Sequence, residues 1–537
     1  MLIVFFISVK LANFKYNNFM YGKFDLGNMS QVVWNNKHGN FNMVTDQFGN
    51  DISRLGMSHV DLTLFVVTPL YFIKEDPRLL IFFQQFVVVL GAIAVYLLAN
   101  QLLKSKNLAF LWGVIYLVYP AVGHILTKQT FHGVSLSAIF FLYAVYFYLK
   151  SKTSPVIPSS TGDPEKLDSR FHGNDESDGY HTVIPNLIGN PEKFYSIGFW
   201  ILIVLSIIGK EEVPLVISMF GLWIVYKFKD IKTGLSLFLI GIIWFLVAFF
   251  VLIPKYENLR SVEFDKFITN AKISNVNSAD FFKSNFFLHR YSQLGDSYTQ
   301  VASSLILHPV KSTRVSISSD DKEAIVNVLA PLLFLPVIAF PILLISLPEI
   351  AINILSNQNI FAIDNHRVSM FIPIVFLASL YVVSKQNQKL QYMLTILIIL
   401  SSVYFSFKTN NLLLIELSKK IGVEKVFADN MLDRNLDRAI SDPVCINKIL
   451  KQIPDDASYT GPNYMGAQTS LRKTNAVYPM RFYDAEYLAI DVKEFSVHAN
   501  EIGITDEMQK SVTNEIFNSG SYKIIDSCKS LFLFKRL

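Results

Sequence analysis

Apolar runs close to twenty residues long recur through the first 408 of the 537 residues, and no soluble fold could hide so many of them. A hydrocarbon core of ~30 Å is crossed by about 20 helical residues rising ~1.5 Å each. Residues 79–103, 108–126, 131–149, 194–208, 213–226, 235–253, 369–384 and 390–407 meet or approach that length. The pattern predicts a polytopic α-helical membrane protein with about ten to eleven membrane segments, filling residues 1–408. Composition agrees: half of the chain (51%) is hydrophobic, and 45 residues are Phe.

Two apolar stretches do not fit a simple crossing. Residues 61–73 are too short, end at Lys74-Glu75-Asp76-Pro77, and read as a helix lying along the interface. Residues 325–355 carry Pro331, Pro336, Pro341 and Pro348, and read as a prolyl-broken hairpin with both ends on one side. Met1 to Val9 is apolar, without a basic leader or a small-residue cleavage site. It reads as a truncated first helix, or as one continuing through Leu11-Ala12-Asn13-Phe14 with Lys10 snorkelling; truncation is the favoured expectation.

Lys and Arg in short loops mark the cytoplasmic side. Lys104 and Lys106, Lys150 and Lys152, Lys227, Lys229 and Lys232, and Lys385 and Lys389 fall in alternate turns, which are assigned inside. The first loop (14–78), the turn near residues 123–132, residues 210–212, the segment 254–322 and residues 357–367 then share the outer face. The net charge of +5 matters less than this distribution. Nucleic acid is excluded as a partner, because no basic run is interleaved with aromatics on a soluble face. Membrane lipids are the expected surroundings.

Residues 151–193 break the pattern. They are polar, lack an apolar period and repeat internally: Val156-Ile157-Pro158…Pro164-Glu165-Lys166 returns as Val183-Ile184-Pro185…Pro191-Glu192-Lys193. A disordered cytoplasmic insertion is expected, in preference to a metal loop built on His172 and His181. From Thr409 the composition changes again. Residues 457–461, 486–492, 522–525 and 531–535 read as strands and residues 507–517 as a helix, predicting a small extracytoplasmic α/β domain over 409–537. It holds the only two cysteines, Cys445 and Cys528; an exported domain permits their bridging, and two free thiols are as well supported.

An ordered set of motifs then resembles one family. Phe24-Asp25-Leu26-Gly27…Gln31-x2-Trp34-Asn35…His38-Gly39 and Ser58-His59-Val60-Asp61…Pro69-Leu70-Tyr71 resemble the opening of the bacterial and archaeal membrane family DUF2079. Tyr119-Pro120, Phe131-His132, Lys210-Glu211-Glu212, Leu347-Pro348-Glu349 and His366 before Phe371-Ile372-Pro373 continue it over nearly the whole chain outside the insertion. That family is similar in layout to GT-C glycosyltransferases, which take a sugar from a polyprenyl-phosphate donor at the outer membrane face. The resemblance implies a catalytic acidic residue in the first outer loop and a lipid-linked sugar as partner. GT-C loops often show paired acidic residues, whereas Asp25 has no acidic neighbour in sequence.

Transfer from a lipid phosphate to a hydroxyl needs a base near the acceptor and cations near the leaving phosphate, held in line. Asp25 is the candidate base, its pKa raised by partial desolvation beside the bilayer; the competing reading makes it the N-cap of the following helix. Lys210 is a candidate phosphate ligand, or else the ion-pair partner of Glu211 or Glu212. His59, His132 and His366 are candidates to donate to phosphate or line an acceptor site, with Asp61, Glu211 and Arg367 beside them. By default Asp51, Arg54, Asp61 and Arg367 are solvated or paired loop charges. No two histidines sit at helical metal-ligand spacing, so neither metal nor cofactor is expected. A transporter would place ionisable groups near the bilayer midplane in paired broken helices, and here Gln84 and Gln85 are the clearest mid-span polar groups. A scaffold using the C-terminal domain to hold an envelope partner would not need Asp25.

Overall fold

Every long apolar run becomes a helix, because backbone N–H and C=O groups buried away from water must satisfy one another locally. The structure, a computed structural model, describes all residues except 58, 154–190, 258, 274–287, 289, 358–359, 421–441 and 494–503. Residues 154–190 of the expected insertion (151–193) and part of the segment 254–322 therefore fall outside the described residues, while 151–153 and 191–193 end and begin helices.

The first helix, α1 (Leu2–Asn17), continues through Asn13 and Phe14 rather than stopping near residue 9. A π-helical turn (Lys23–Gly27) feeds α2 (Asn28–Lys37), and a two-stranded ribbon, β1 (Met43–Thr45) with β2 (Asp51–Ser53), completes the first loop. The interfacial run divides at Thr68 into α3 (Thr63–Val67) and α4 (Pro69–Ile73). Phe65, Val66, Phe72 and Ile73 are left exposed on it.

The bundle follows: α5 (Arg78–Leu103), α6 (Lys106–Val118), α7 (Pro120–Thr127), α8 (Gly133–Thr153), α9 (Pro191–Ile207), α10 (Val213–Phe228) and α11 (Ile231–Val247), then helices Phe371–Ser384 and Gln388–Lys408. Among the described residues, five helices are long and apolar enough to cross a membrane, or six if α6 and α7, bent by 52° at Tyr119-Pro120, form one span. Only with α1 and the shorter apolar helices does the count reach the expected ten to eleven. Helix Phe371–Ser384 lies innermost, packed on α5 and α8. Gln388–Lys408 instead leaves Met393, Ile396, Leu397, Leu400 and Tyr404 bare, a stripe at helical spacing that lipid would cover.

Residues 325–355 form a succession of short helical pieces, none long enough to cross. Pro331, Pro336, Pro341 and Pro348 each sit in the first turn of a piece, where the missing N–H costs nothing.

The C-terminal region is a five-stranded mixed sheet in the order β4-β3-β5-β7-β6: β3 (Tyr459–Gly461), β4 (Asn475–Val477), β5 (Tyr487–Asp491), β6 (Tyr522–Cys528) and β7 (Leu531–Arg536). β3 runs parallel to β4 and β5, while β7 is antiparallel to β5 and β6. Alternation along β5 builds two faces. Leu488 and Ile490 pack with Val512 and Ile516 of helix Asp506–Asn518; Tyr487 and Ala489 pack with Ile446 and Ile449 of helix Pro443–Leu450. Cys445 and Cys528 are joined in a disulfide, with Cα atoms 5.7 Å apart, so the two-thiol alternative does not hold.

The two regions share structure. Phe48 of the first loop and Phe264 and Phe267 of helix Ser261–Asn270 belong to the same core as Leu488 and Phe534.

Candidate functional site

Four separate stretches meet at one end of the bundle. Leu62 N–H donates to the Ile208 carbonyl at 2.9 Å, which ties the first loop to the α9–α10 turn. Glu211 completes that junction: its Oε1 lies 3.0 Å from His59 Nδ1, and its Oε2 accepts from the Val60 N–H at 3.2 Å. Asp61 is buried against the start of α8, where Gly133 is needed because a Cβ would fall 2.5 Å from Asp61 Oδ1. Gln84 of α5 fixes the non-helical approach to α8, accepting from His132 N–H at 2.6 Å and donating to the Thr130 carbonyl at 2.9 Å. The two mid-span glutamines are thus structural: Gln85 likewise donates to the Ser8 and Leu126 carbonyls.

On the other side, the His366 ring stacks on His132 with centroids 3.8 Å apart. Arg367 donates to Asn353 at 3.4 Å, and Asn353 to Glu349 Oε1 at 3.2 Å. Lys210 pairs with Glu212, the ion-pair alternative weighed above, and both are buried. Arg290 is buried nearby, within electrostatic reach of Arg367, Glu211 and Glu212.

The environment is dry, and burial dominates the titrations. It pushes the Asp61 carboxyl up to about 6, with Arg54 opposing. It pushes the His59 imidazole down to about 4 against the pull of Glu211, and His132 down to about 3, helped by Lys210 and Arg54. Burial alone would raise Glu211, but His59 and Lys210 hold it below the ordinary carboxylate value. Glu212 is raised by burial, with Lys210 opposing. The histidines around this centre are therefore neutral at pH 7, able to donate from one nitrogen and accept at the other.

Seven expected site residues, His59, Asp61, His132, Lys210, Glu211, His366 and Arg367, come together. Arg54, Asp61 and Arg367 are only 5%, 6% and 6% exposed, so of their two default readings, solvated or paired, the solvated one does not hold. Asp51 remains half-buried and pairs with Thr45, Thr474 and Arg481. Asp25 is exposed on the π-helical turn, and the N-cap of α2 is Gly27 rather than Asp25. Lys23, two residues earlier, is buried and close enough to be influenced by Arg54, Asp46 and Asp51. Arg54, Glu212, Arg290, Glu349 and Asn353 also belong to the site, beyond the candidates that the sequence singles out. Glu349 carried a signal, as a carboxylate inside an otherwise apolar, broken segment. Among the described residues no group of three His, Cys, Asp or Glu side chains is arranged to hold a metal.

The fold and this centre define a polytopic helical membrane protein with a small C-terminal sheet domain and a charged, buried site at one end of its bundle. The chain belongs to the family described as predicted membrane protein (DUF2079), which matches residues 15–160 and 193–527. No curated protein matches it in sequence. Among solved structures it is similar to ArnT from Cupriavidus metallidurans bound to undecaprenyl phosphate, at 10% identity over 100% of this chain and 96% of that one, with a TM-score of 0.45. It is also similar to the Archaeoglobus fulgidus oligosaccharyltransferase in complex with zinc and sulfate, at 10% identity over 99% of this chain and 73% of that one, with a TM-score of 0.41.

Proposed function

We propose that this protein transfers a sugar from a polyprenyl-phosphate-linked donor to an envelope acceptor at the outer membrane face. The observation that carries the reading is a set of buried polar atoms that have no hydrogen-bond partner, at a centre where four cations, Lys210, Arg54, Arg290 and Arg367, meet four carboxyl groups. Asp61 Oδ1, Glu349 Oε2 and Arg54 Nε are in this condition among the described residues. Buried polar atoms are rarely left so, and several at one place favour a polar ligand that completes them. Lys210, Arg367, Arg54 and Arg290 supply the positive charge that a lipid phosphate needs beside the bilayer.

In the proposed step the acceptor hydroxyl oxygen bonds to the anomeric carbon while its proton passes to the Asp25 carboxylate. The bond from that carbon to the phosphate oxygen breaks, and its electron pair leaves on the polyprenyl phosphate. The cations stabilise the charge that develops there, and His59, His132 and His366 donate to phosphate or acceptor oxygens. Sidedness supports the outer face. Lys152 pairs with Asp230 at 2.8 Å and Lys227 reaches Tyr381 at 3.2 Å, so these basic turns gather at the opposite end.

The test is a strain lacking this protein, complemented with wild type or Asp25→Asn. Accumulated polyprenyl-phosphate sugar and missing envelope glycan in the deletion and Asp25→Asn strains, with normal membrane insertion of the variant, support transfer. Unchanged glycans with Asp25→Asn as the only copy overturn it.

A further inference from the structure

The turn that carries Asp25 is gripped by the far end of the chain. Asn463 Oδ1 accepts the backbone N–H of Lys23 at 2.9 Å and that of Phe24 at 3.4 Å. The first N–H groups of a helical turn have no carbonyl of their own, so an acceptor from elsewhere decides where the turn sits. On the other side of the turn, Gly27 meets Gly466 backbone to backbone. A Cβ on Gly27 would fall 2.7 Å from the Gly466 oxygen, and one on Gly466 would fall 2.2 Å from Lys23 Cβ.

The gripping residues are themselves fixed to the sheet. Tyr464 OH donates to Asp491 Oδ2 at 3.0 Å at the end of β5, and Asn475 Nδ2 donates to the Gly466 carbonyl at 3.0 Å from β4. The contact extends along α2 and the ribbon. Ser470 reaches Ser30 at 2.7 Å, Gln31 donates to the Arg472 and Lys473 carbonyls, and Asn475 N–H donates to Thr45 Oγ1 at 2.9 Å.

We infer that the C-terminal domain is a positioning element of the active site, with Asn463 as the residue that holds the Asp25 turn in place. Its effect on turnover rests on the reading of Asp25 as base; the grip itself does not. A catalytic carboxylate on a short exposed turn keeps a productive geometry only if the turn is held, since a displacement of about 1 Å can cost about a hundredfold in rate.

The test uses the full chain in lipid nanodiscs, as wild type, Asn463→Ala and Asn463→Asp, the last keeping an acceptor oxygen. Hydrogen exchange at residues 23–28 should rise roughly tenfold or more in Asn463→Ala, stay near wild type in Asn463→Asp, and remain unchanged in β5 and β7 of all three. Gly466→Val, which wedges the two backbones apart, should reproduce the local loss. In the deletion strain, glycan formation should fall roughly tenfold with Asn463→Ala and recover with Asn463→Asp. Unchanged exchange at residues 23–28 in Asn463→Ala overturns the grip, and so does protection lost equally across the sheet. If Asp25→Asn proves active, the base assignment falls while the exchange result still decides the positioning.

Discussion

Lys23 lies wholly inside the first loop, its ammonium donating to the Thr45 carbonyl at 2.9 Å and to the Asn28 side chain. Burial lowers its pKa to about 7, with Asp51 and Asp46 opposing. A lysine depressed in the folded state binds fewer protons there than in the unfolded chain between pH 7 and its ordinary value near 10.4. Its contribution to stability is therefore present above that value and lost as the pH falls toward 7. The melting temperature in detergent should rise between pH 7 and 9.5 for wild type more than for Lys23→Met; equal slopes would refute this. At Glu211 the expectation is harsher. Glu211→Gln removes the carboxylate that faces the buried charges of Lys210 and Arg54, and leaving a buried charge uncompensated typically costs about 3–5 kcal/mol, read as a lowered melting temperature. What the sequence showed at this scale was residue type near a helix end; it could not show depth. His59, Lys210 and Arg367 were legible as members of one face, whereas Arg54 looked like any loop arginine until the fold enclosed it.

Short elements decide the geometry here, and they are what a periodicity reading finds hardest. The long spans were legible because twenty apolar residues admit one solution in lipid. β5 and β7 were legible because alternation survives over five or six residues, while the three-residue β1, β2 and β4 carry too few to show a period. The π-helical turn at Lys23–Gly27 had no signal at all: its shape depends on Gly27 fitting against Gly466, which lies more than four hundred residues away. Helix Pro443–Leu450 is bound to β6 by the Cys445–Cys528 bridge, which spans 83 residues. Replacing both cysteines by Ser should cost about 2–5 kcal/mol in the stability of the C-terminal sheet. Limited proteolysis of the full chain would report it as faster cleavage after residue 409, and unchanged rates would argue against a stabilising role for the bridge.

Across the whole molecule, the charged site and the basic turns lie at opposite ends of the bundle, a separation that the alternation of Lys-bearing loops foretold. Substituted-cysteine labelling in cells checks it directly, in a background where Cys445 and Cys528 remain bridged. Asp25→Cys should react with an impermeant maleimide in intact cells, and Lys232→Cys only after permeabilisation; labelling of both from outside would defeat the sidedness. The dependence of the first loop on strands formed near residue 475 also sets an order of events during synthesis. The loop leaves the ribosome early, yet Gln31, Thr45 and the Lys23 backbone acquire their C-terminal partners only when nearly all of the chain has been made. Until then the loop's polar groups are exposed to chaperones and proteases on whichever side receives them. A product that stops short of the last strands would thus be unfinished at its beginning as well as at its end.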